Sequence, residues 1–257
     1  MLVLGILFLL LRRAESGRYA ASQGLRAPRH HLVTYATPSH AAAARLLTRS
    51  ALAVGGFDEA VVYGPDTFDD AYRARNAHIL SQPRGAGYWI YKPYVVLRYM
   101  FETAGPGDVV CYMDSMYEFK QRFTPTVDDW LSAGAAPVAL TSNKPDERSF
   151  YEKSWTKKDA YVIMGANETA VRDTLQAWCG FICFRNTFEA VQFVAAWLTY
   201  TQDARVVTDA PSQLGAESRD FVENRHDQTV CSLLAKSHDV TVRSFPSGPV
   251  YNHHYFG

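Results

Sequence analysis

Asp114 ends an apolar run, residues 108–113 (DVVCYM), in the context Cys111-Tyr112-Met113-Asp114-Ser115-Met116. A short apolar run that stops on a carboxylate reads as a buried strand carrying an acid to its carboxyl end, where open α/β sheets bind ligands. A carboxylate there can hold a divalent ion that bridges a diphosphate and neutralises charge on a departing nucleotide. A turn aspartate that caps the next segment is the alternative. His253 and His254 lie near the end of the sequence. Imidazole suits Mn²⁺ and its neighbours, so a tail folded back could add a metal ligand; a free tail is the plainer reading. Arg225-His226-Asp227-Gln228 opens a helical pattern. Asp227 suits an N-cap, and Asp and Gln side chains at a helix start can also grip a hydroxyl-rich ligand. The run Gly87-Tyr88-Trp89-Ile90-Tyr91-Lys92-Pro93-Tyr94 places aromatics and a lysine after glycines. Such a run can frame a phosphate and the face of a base or sugar, or form an aromatic core patch with Lys92 in solvent.

To act together these residues need elements that bring them to one edge. Residues 31–36 (HLVTYA) predict a buried strand, residues 41–54 a helix, and Glu59–Tyr63 a second strand before the turn Gly64-Pro65-Asp66. Strand–helix–strand order starts an α/β domain with a parallel sheet. Further helices are predicted over residues 69–80, from Pro93 to about residue 102, over 188–200 and over 227–236, and further strands over 108–113, 137–140, 181–184 and 240–243. Asn167-Glu168-Thr169 is a glycosylation sequon, and Asn167 equally suits the N-cap of a helix that follows it.

Length and composition bound the rest. The 257 residues suit one large α/β domain. Lys+Arg and Asp+Glu are balanced at 26 each, which argues against a nucleic-acid partner. Cys111, Cys179, Cys183 and Cys231 sit in apolar runs without zinc-ligand spacing and read as small buried hydrophobes. The first eleven residues are apolar and precede Arg12-Arg13. That is short of the roughly 20 residues a spanning helix needs. Residues 1–30 are therefore expected to form an apolar N-terminal segment and linker. Possible membrane anchoring runs through residues 1–13, in a secretory or Golgi lumen or, alternatively, at a cytoplasmic or membrane-associated location. Residues 31–257 form the globular domain.

Taken in order, residues 87–94, the strand that ends on Asp114, and Arg225 to Gln228 resemble a family of GT-A glycosyltransferases of capsular and surface polysaccharide synthesis. In that family a glycine-aromatic-Trp-x-x-Lys-Pro-Tyr run precedes a Gly-Asp-(apolar)-Tyr-x-Asp strand, and a His-Asp-Gln motif follows. The likeness covers residues 31–257. It implies a single GT-A (Rossmann-like) α/β domain with a mostly parallel central sheet flanked by helices. It also implies a nucleotide-sugar donor, a UDP-sugar by preference, a divalent ion (Mn²⁺ or Mg²⁺), and transfer to a hydroxyl of a glycan or glycoconjugate. By position, Asp114 would be the metal carboxylate and Trp89 and Lys92 would line the donor site. Asp227 and Gln228 would face the donor sugar as the catalytic pair, and Tyr35 and Thr37 would approach the base. Gln176, Ala177 and Trp178 would stand on the acceptor side. Met116 occupies the place of the second acid of an Asp-x-Asp signature, so a further ligand must come from elsewhere, such as His253 or His254. Asp227-Gln228 is similar to the Asp-Gln region of glycogenin-like retaining enzymes, which implies retention; an inverting reaction would need a base such as Asp209 or Glu223. Two rivals stand beside this reading. A catalytically silent GT-A-like module would bind nucleotide-sugar or glycan without turnover. A methyltransferase-like enzyme is disfavoured because Ala36-Thr37-Pro38-Ser39, not a Gly-x-Gly-x-x-Gly turn, follows the first strand.

Overall fold

The computed structural model of the protein describes residues 26–133, 138–142, 150–245, 248 and 250–252. Residues 1–25, with the apolar segment 1–13, and the pair His253 and His254 lie outside the described residues. Among the described residues no helix is long and apolar enough to cross a membrane.

The centre is a six-stranded sheet of β1 (His30–Tyr35), β2 (Glu59–Tyr63), β3 (Val109–Met113), β5 (Val138–Ser142), β6 (Ala177–Arg185) and β7 (Val242–Ser244). Their order across the sheet is β2-β1-β3-β6-β5-β7. Five strands run one way; β6 alone is reversed, antiparallel to both β3 and β5. The expected mostly parallel α/β sheet is therefore present. All five residues of β3 are buried, because both faces of a central strand are covered. Alternation sends Val110 and Tyr112 to one face and Val109, Cys111 and Met113 to the other.

Each face has its own core. On the first, α3 (Tyr91–Glu102), α5 (Phe188–Thr201) and α6 (Asp227–Ser237) pack against Val33, Val110, Ile182 and Phe184. On the second, α1 (Ala41–Ser50) and α4 (Thr124–Ala133) cover Leu32, Cys111, Phe181 and Cys183. The remaining long helix, α2 (Asp70–Leu80), is capped by Asp69, whose carboxylate accepts from the Tyr72 amide at 2.7 Å. A second, two-stranded sheet pairs β4 (Tyr117–Phe119) with β8 (Val250–Asn252).

Several elements differ from the sequence-based expectation. β6 starts at Ala177, not residue 181, so Ala177 and Trp178 belong to the strand and do not precede it. The aromatic and Cys residues there have no clean alternation because β6 is buried almost throughout. The helix after Asn167 is a single turn, Glu168–Val171, and Asn167 caps it by accepting from the Ala170 amide. Asp227 is the first helical residue of α6; His226 occupies the N-cap position and makes no side-chain cap bond. All four cysteines are free and buried, as their apolar setting predicts.

Candidate active site

The carboxyl ends of β1 and β3 and the start of the reversed β6 share one edge of the sheet. A cavity of about 720 Å³ opens there. Tyr35, Thr37, Trp89, Lys92, Asp114, Asp227 and Gln228 all line it. Motifs separated by more than a hundred residues thus meet on one wall. Asp209 and Glu223, considered as bases, do not line it; both are counter-ions of Arg84, at 3.2 and 2.9 Å. Trp178 reaches the cavity, whereas Gln176 and Ala177 are buried behind it.

Lys92 is the centre of the wall. It is 4% exposed, not solvated. Its Nζ lies 3.1 Å from Asp114 Oδ1 and 3.4 Å from Asp227 Oδ2, and donates to the Cys179 carbonyl at 3.2 Å. Pro93 in the first turn of α3 fixes the helix start that carries Lys92 inward. Burial alone lowers the ammonium's pKa, but Asp114 and Asp227 outweigh it and the net shift is upward, so Lys92 is charged. Asp114 follows β3 directly; its amide donates to the Gly180 carbonyl at 2.9 Å, and its Oδ1 also accepts from the Tyr112 hydroxyl at 3.1 Å. Asp227 is 3% exposed, and its backbone carbonyl accepts from Trp197 Nε1 at 3.1 Å, which pins the start of α6. Among the described residues its Oδ2 has no aligned hydrogen bond and is ion-paired with Lys92.

The aromatic wall is built by unusual backbone. Residues 85–89 all have positive φ, at 57, 50, 93, 55 and 59°. A left-handed run of this length, with Ala86, Tyr88 and Trp89 in it, stores strain of about 1–2 kcal/mol per non-glycine residue. It aims Tyr88 and Trp89 at the ring of His226, with centroids 4.7 and 5.5 Å away. At Gly87, a Cβ would meet the backbone of Leu80 at 2.8 Å. Gly87→Ala is therefore expected to cost about 2 kcal/mol, from strain and overlap together, in denaturant unfolding. Tyr35 stacks on Tyr91 at 3.7 Å and is 4% exposed, so it offers the cavity only part of its ring. Thr37 is partly exposed and hydrogen-bonds Ser39 and His40.

Two ionisable groups in this wall are shifted in opposite senses. Burial, opposed by Lys92 and assisted by Asp114, raises Asp227 from 3.8 to about 7. Burial lowers His226 from 6.5 to about 4, although its Nδ1–H donates to the Val207 carbonyl at 2.7 Å. His226 is a residue the motif reading passed over; its positive φ of 55° is invisible in sequence. For Asp227 the folded chain binds its proton more tightly than the unfolded one. Its contribution to stability is full below about pH 4 and is lost as pH rises to about 7. His226 has the reverse dependence: its contribution is present above about pH 6.5 and lost as pH falls towards 4. Asp227→Asn is neutral at every pH, as protonated Asp227 is, and so escapes the first of these losses. Thermal melts of the variant and wild type are expected to agree best near pH 4 and to diverge as pH rises to about 7, with the variant the more stable.

Among the described residues no group of three or more His, Cys, Asp or Glu side chains is gathered as for a metal ion. Asp114 is the exposed acid of the wall, with 32% of its side chain accessible, and so is the carboxylate suited to an ion in the cavity. The β4–β8 register sets Asn252 opposite Tyr117, three residues beyond Asp114.

No family model matches the sequence, and no curated protein matches it. Solved structures do. The chain is similar to the apo structure of the bifunctional glycosyltransferase WbbM, with 14% identity over 87% of the chain and a TM-score of 0.49. It spans 40% of the length of that protein. It is similar to mouse xyloside xylosyltransferase 1 in its apo form, with 10% identity, 84% of each chain covered and a TM-score of 0.46. It is also similar to the galactosyltransferase LgtC in complex with donor and acceptor sugar analogues, with 14% identity, 87% of each chain covered and a TM-score of 0.43.

Proposed function

We propose that the protein is a glycosyltransferase that moves a sugar from a nucleotide-sugar donor, a UDP-sugar by preference, to a hydroxyl of a glycan or glycoconjugate. The observation that carries this reading is the wall itself. Three motifs distant in sequence deliver Lys92, Asp114 and Asp227-Gln228 to the carboxyl edge of a mostly parallel sheet, beside aromatic rings and in a cavity large enough for a donor. Lys92 supplies a fixed positive charge in a water-poor setting. A preorganised charge of that kind costs no reorganisation as negative charge develops on a leaving diphosphate. Trp89 and the Tyr35–Tyr91 stack offer flat faces for a base or sugar. Gln228 and Asp227 line the same cavity and would hold donor hydroxyls.

A divalent ion, Mn²⁺ or Mg²⁺, belongs to this reading. Asp114 would hold it, with His253 or His254 from the tail as a further ligand. When bound, such an ion supplies Lewis-acid neutralisation of the diphosphate. Retention at the anomeric carbon follows from the likeness of Asp227-Gln228 to retaining enzymes, and the anomeric proton coupling of the product reports it.

The test is donor cleavage across a panel of UDP- and GDP-sugars, with and without Mn²⁺, by wild type and Asp114→Ala. One donor is expected to be cleaved by wild type, faster with metal. A donor that raises the melting temperature without turnover would favour a silent binding module. No cleavage and no binding by any donor would overturn the proposal.

A further inference from the structure

Behind the cavity wall lies a buried polar chain that the site as described does not use. Gln176 and Glu152 are both 0% exposed. Gln176 Nε2 faces Glu152 Oε2 at 3.1 Å and the Trp155 carbonyl at 3.3 Å. Both of those atoms only accept, so the amide of Gln176 cannot be turned the other way without setting oxygen against oxygen. Glu152 is itself held in place. Its Oε1 accepts from Ser232 at 2.5 Å and pairs with Lys236, and its Oε2 accepts from the Thr156 hydroxyl.

The direction of Gln176 fixes that of its neighbour. Gln176 Oε1 accepts from Gln228 Nε2 at 2.7 Å. On the opposite side, Gln228 Oε1 lies 3.4 Å from the Cys179 amide, a donor. An amide flip of Gln228 would oppose two acceptors at one end and two donors at the other.

We infer that Glu152 and Gln176 form a buried relay that locks the polarity of the Gln228 side chain, so that Gln228 offers its carbonyl oxygen, not its NH₂, to whatever occupies the cavity. Gln176 and Glu152 are positioning residues, since neither lines the cavity. The ligand group that meets Gln228 must then be a hydrogen-bond donor. A sugar hydroxyl is one; a carboxylate or phosphate oxygen is not. This last step rests on the glycosyl-transfer reading, but the relay does not.

The relay is tested on the full chain by ¹⁵N NMR of side-chain amides, with the Gln228 signals assigned by their loss in Gln228→Ala. In wild type the Gln228 NH₂ protons are expected to exchange with water at least tenfold more slowly than those of an exposed glutamine. In Gln176→Met, with the backbone spectrum showing a folded chain, that protection should vanish. The exchanged pair Glu152→Gln with Gln176→Glu keeps a donor between positions 152 and 176 and an acceptor towards Gln228, and should restore it; this double variant also decides the matter if Gln176→Met does not fold. Rapid exchange in wild type, or protection that survives the loss of the Gln176 acceptor, overturns the relay. On a donor that is turned over, Gln176→Met should lower kcat tenfold or more with KM within about twofold, and the exchanged pair Glu152→Gln with Gln176→Glu should recover most of it. An equal loss in both variants would mean that Gln176 acts only by filling space. A protected Gln228 amide with no donor turned over would keep the relay and sink the glycosyl-transfer reading.

Discussion

Lys92→Met is expected to lower the unfolding free energy by about 3–5 kcal/mol, the usual effect of removing one partner from a buried ion pair. The methionine fills the methylene volume, so the loss is electrostatic. Without the ammonium, Asp114 and the buried Asp227 face each other across a desolvated gap, and the Cys179 carbonyl loses its donor. The chain can relieve this only by protonating Asp227, whose carboxyl already stands at about 7. Adding Asp227→Asn to Lys92→Met should therefore recover part of the stability, a coupling that a double-mutant cycle in urea measures directly. If Lys92→Met melts within about 1 °C of wild type, the ion-pair centre has been misread.

The second large effect concerns turnover. On a donor that wild type cleaves, Asp114→Ala is expected to reduce kcat by about 10²–10³, the scale seen when one preorganised electrostatic contribution is removed, here that of the divalent ion this carboxylate would hold. Its effect on stability should be much smaller, because Asp114 is partly exposed and Lys92 keeps Asp227 as a counter-ion. The two substitutions thus separate by kind: Lys92 holds the wall together, whereas Asp114, in the proposed function, would meet the ligand. A stable, fully active Asp114→Ala would remove this carboxylate from the chemistry.

Much of this was legible in the sequence because it depends on local pattern. The continuous apolar run before Asp114 read as a buried strand, and it is one. The Lys-Pro-Tyr segment announced a helix start, and α3 begins two residues before Pro93. What sequence could not supply was direction and depth. Nothing in residues 177–185 marks β6 as reversed, since parallel and antiparallel core strands use the same apolar residues. Lys92 read as a cation for solvent or phosphate, because a lysine's burial depends on carboxylates 22 and 135 residues away. The left-handed run at residues 85–89 contains two glycines but also Ala86, Tyr88 and Trp89, whose own preferences oppose it. Tertiary stacking on His226 overrides them.

The reversal of β6 has a consequence for how such a molecule can vary. Because β3 ends and β6 begins at the same edge, the chain that leaves the cavity wall after Tyr117 comes back to it at Trp178. Both ends of this excursion are clamped by neighbouring strands, as the bond from the Asp114 amide to the Gly180 carbonyl shows. The excursion is not a free loop: it carries β5, which pairs with β6 itself, and the buried Glu152 that holds Gln176. A substitution that displaced β5 or Glu152 would therefore be felt at the charged wall without touching it.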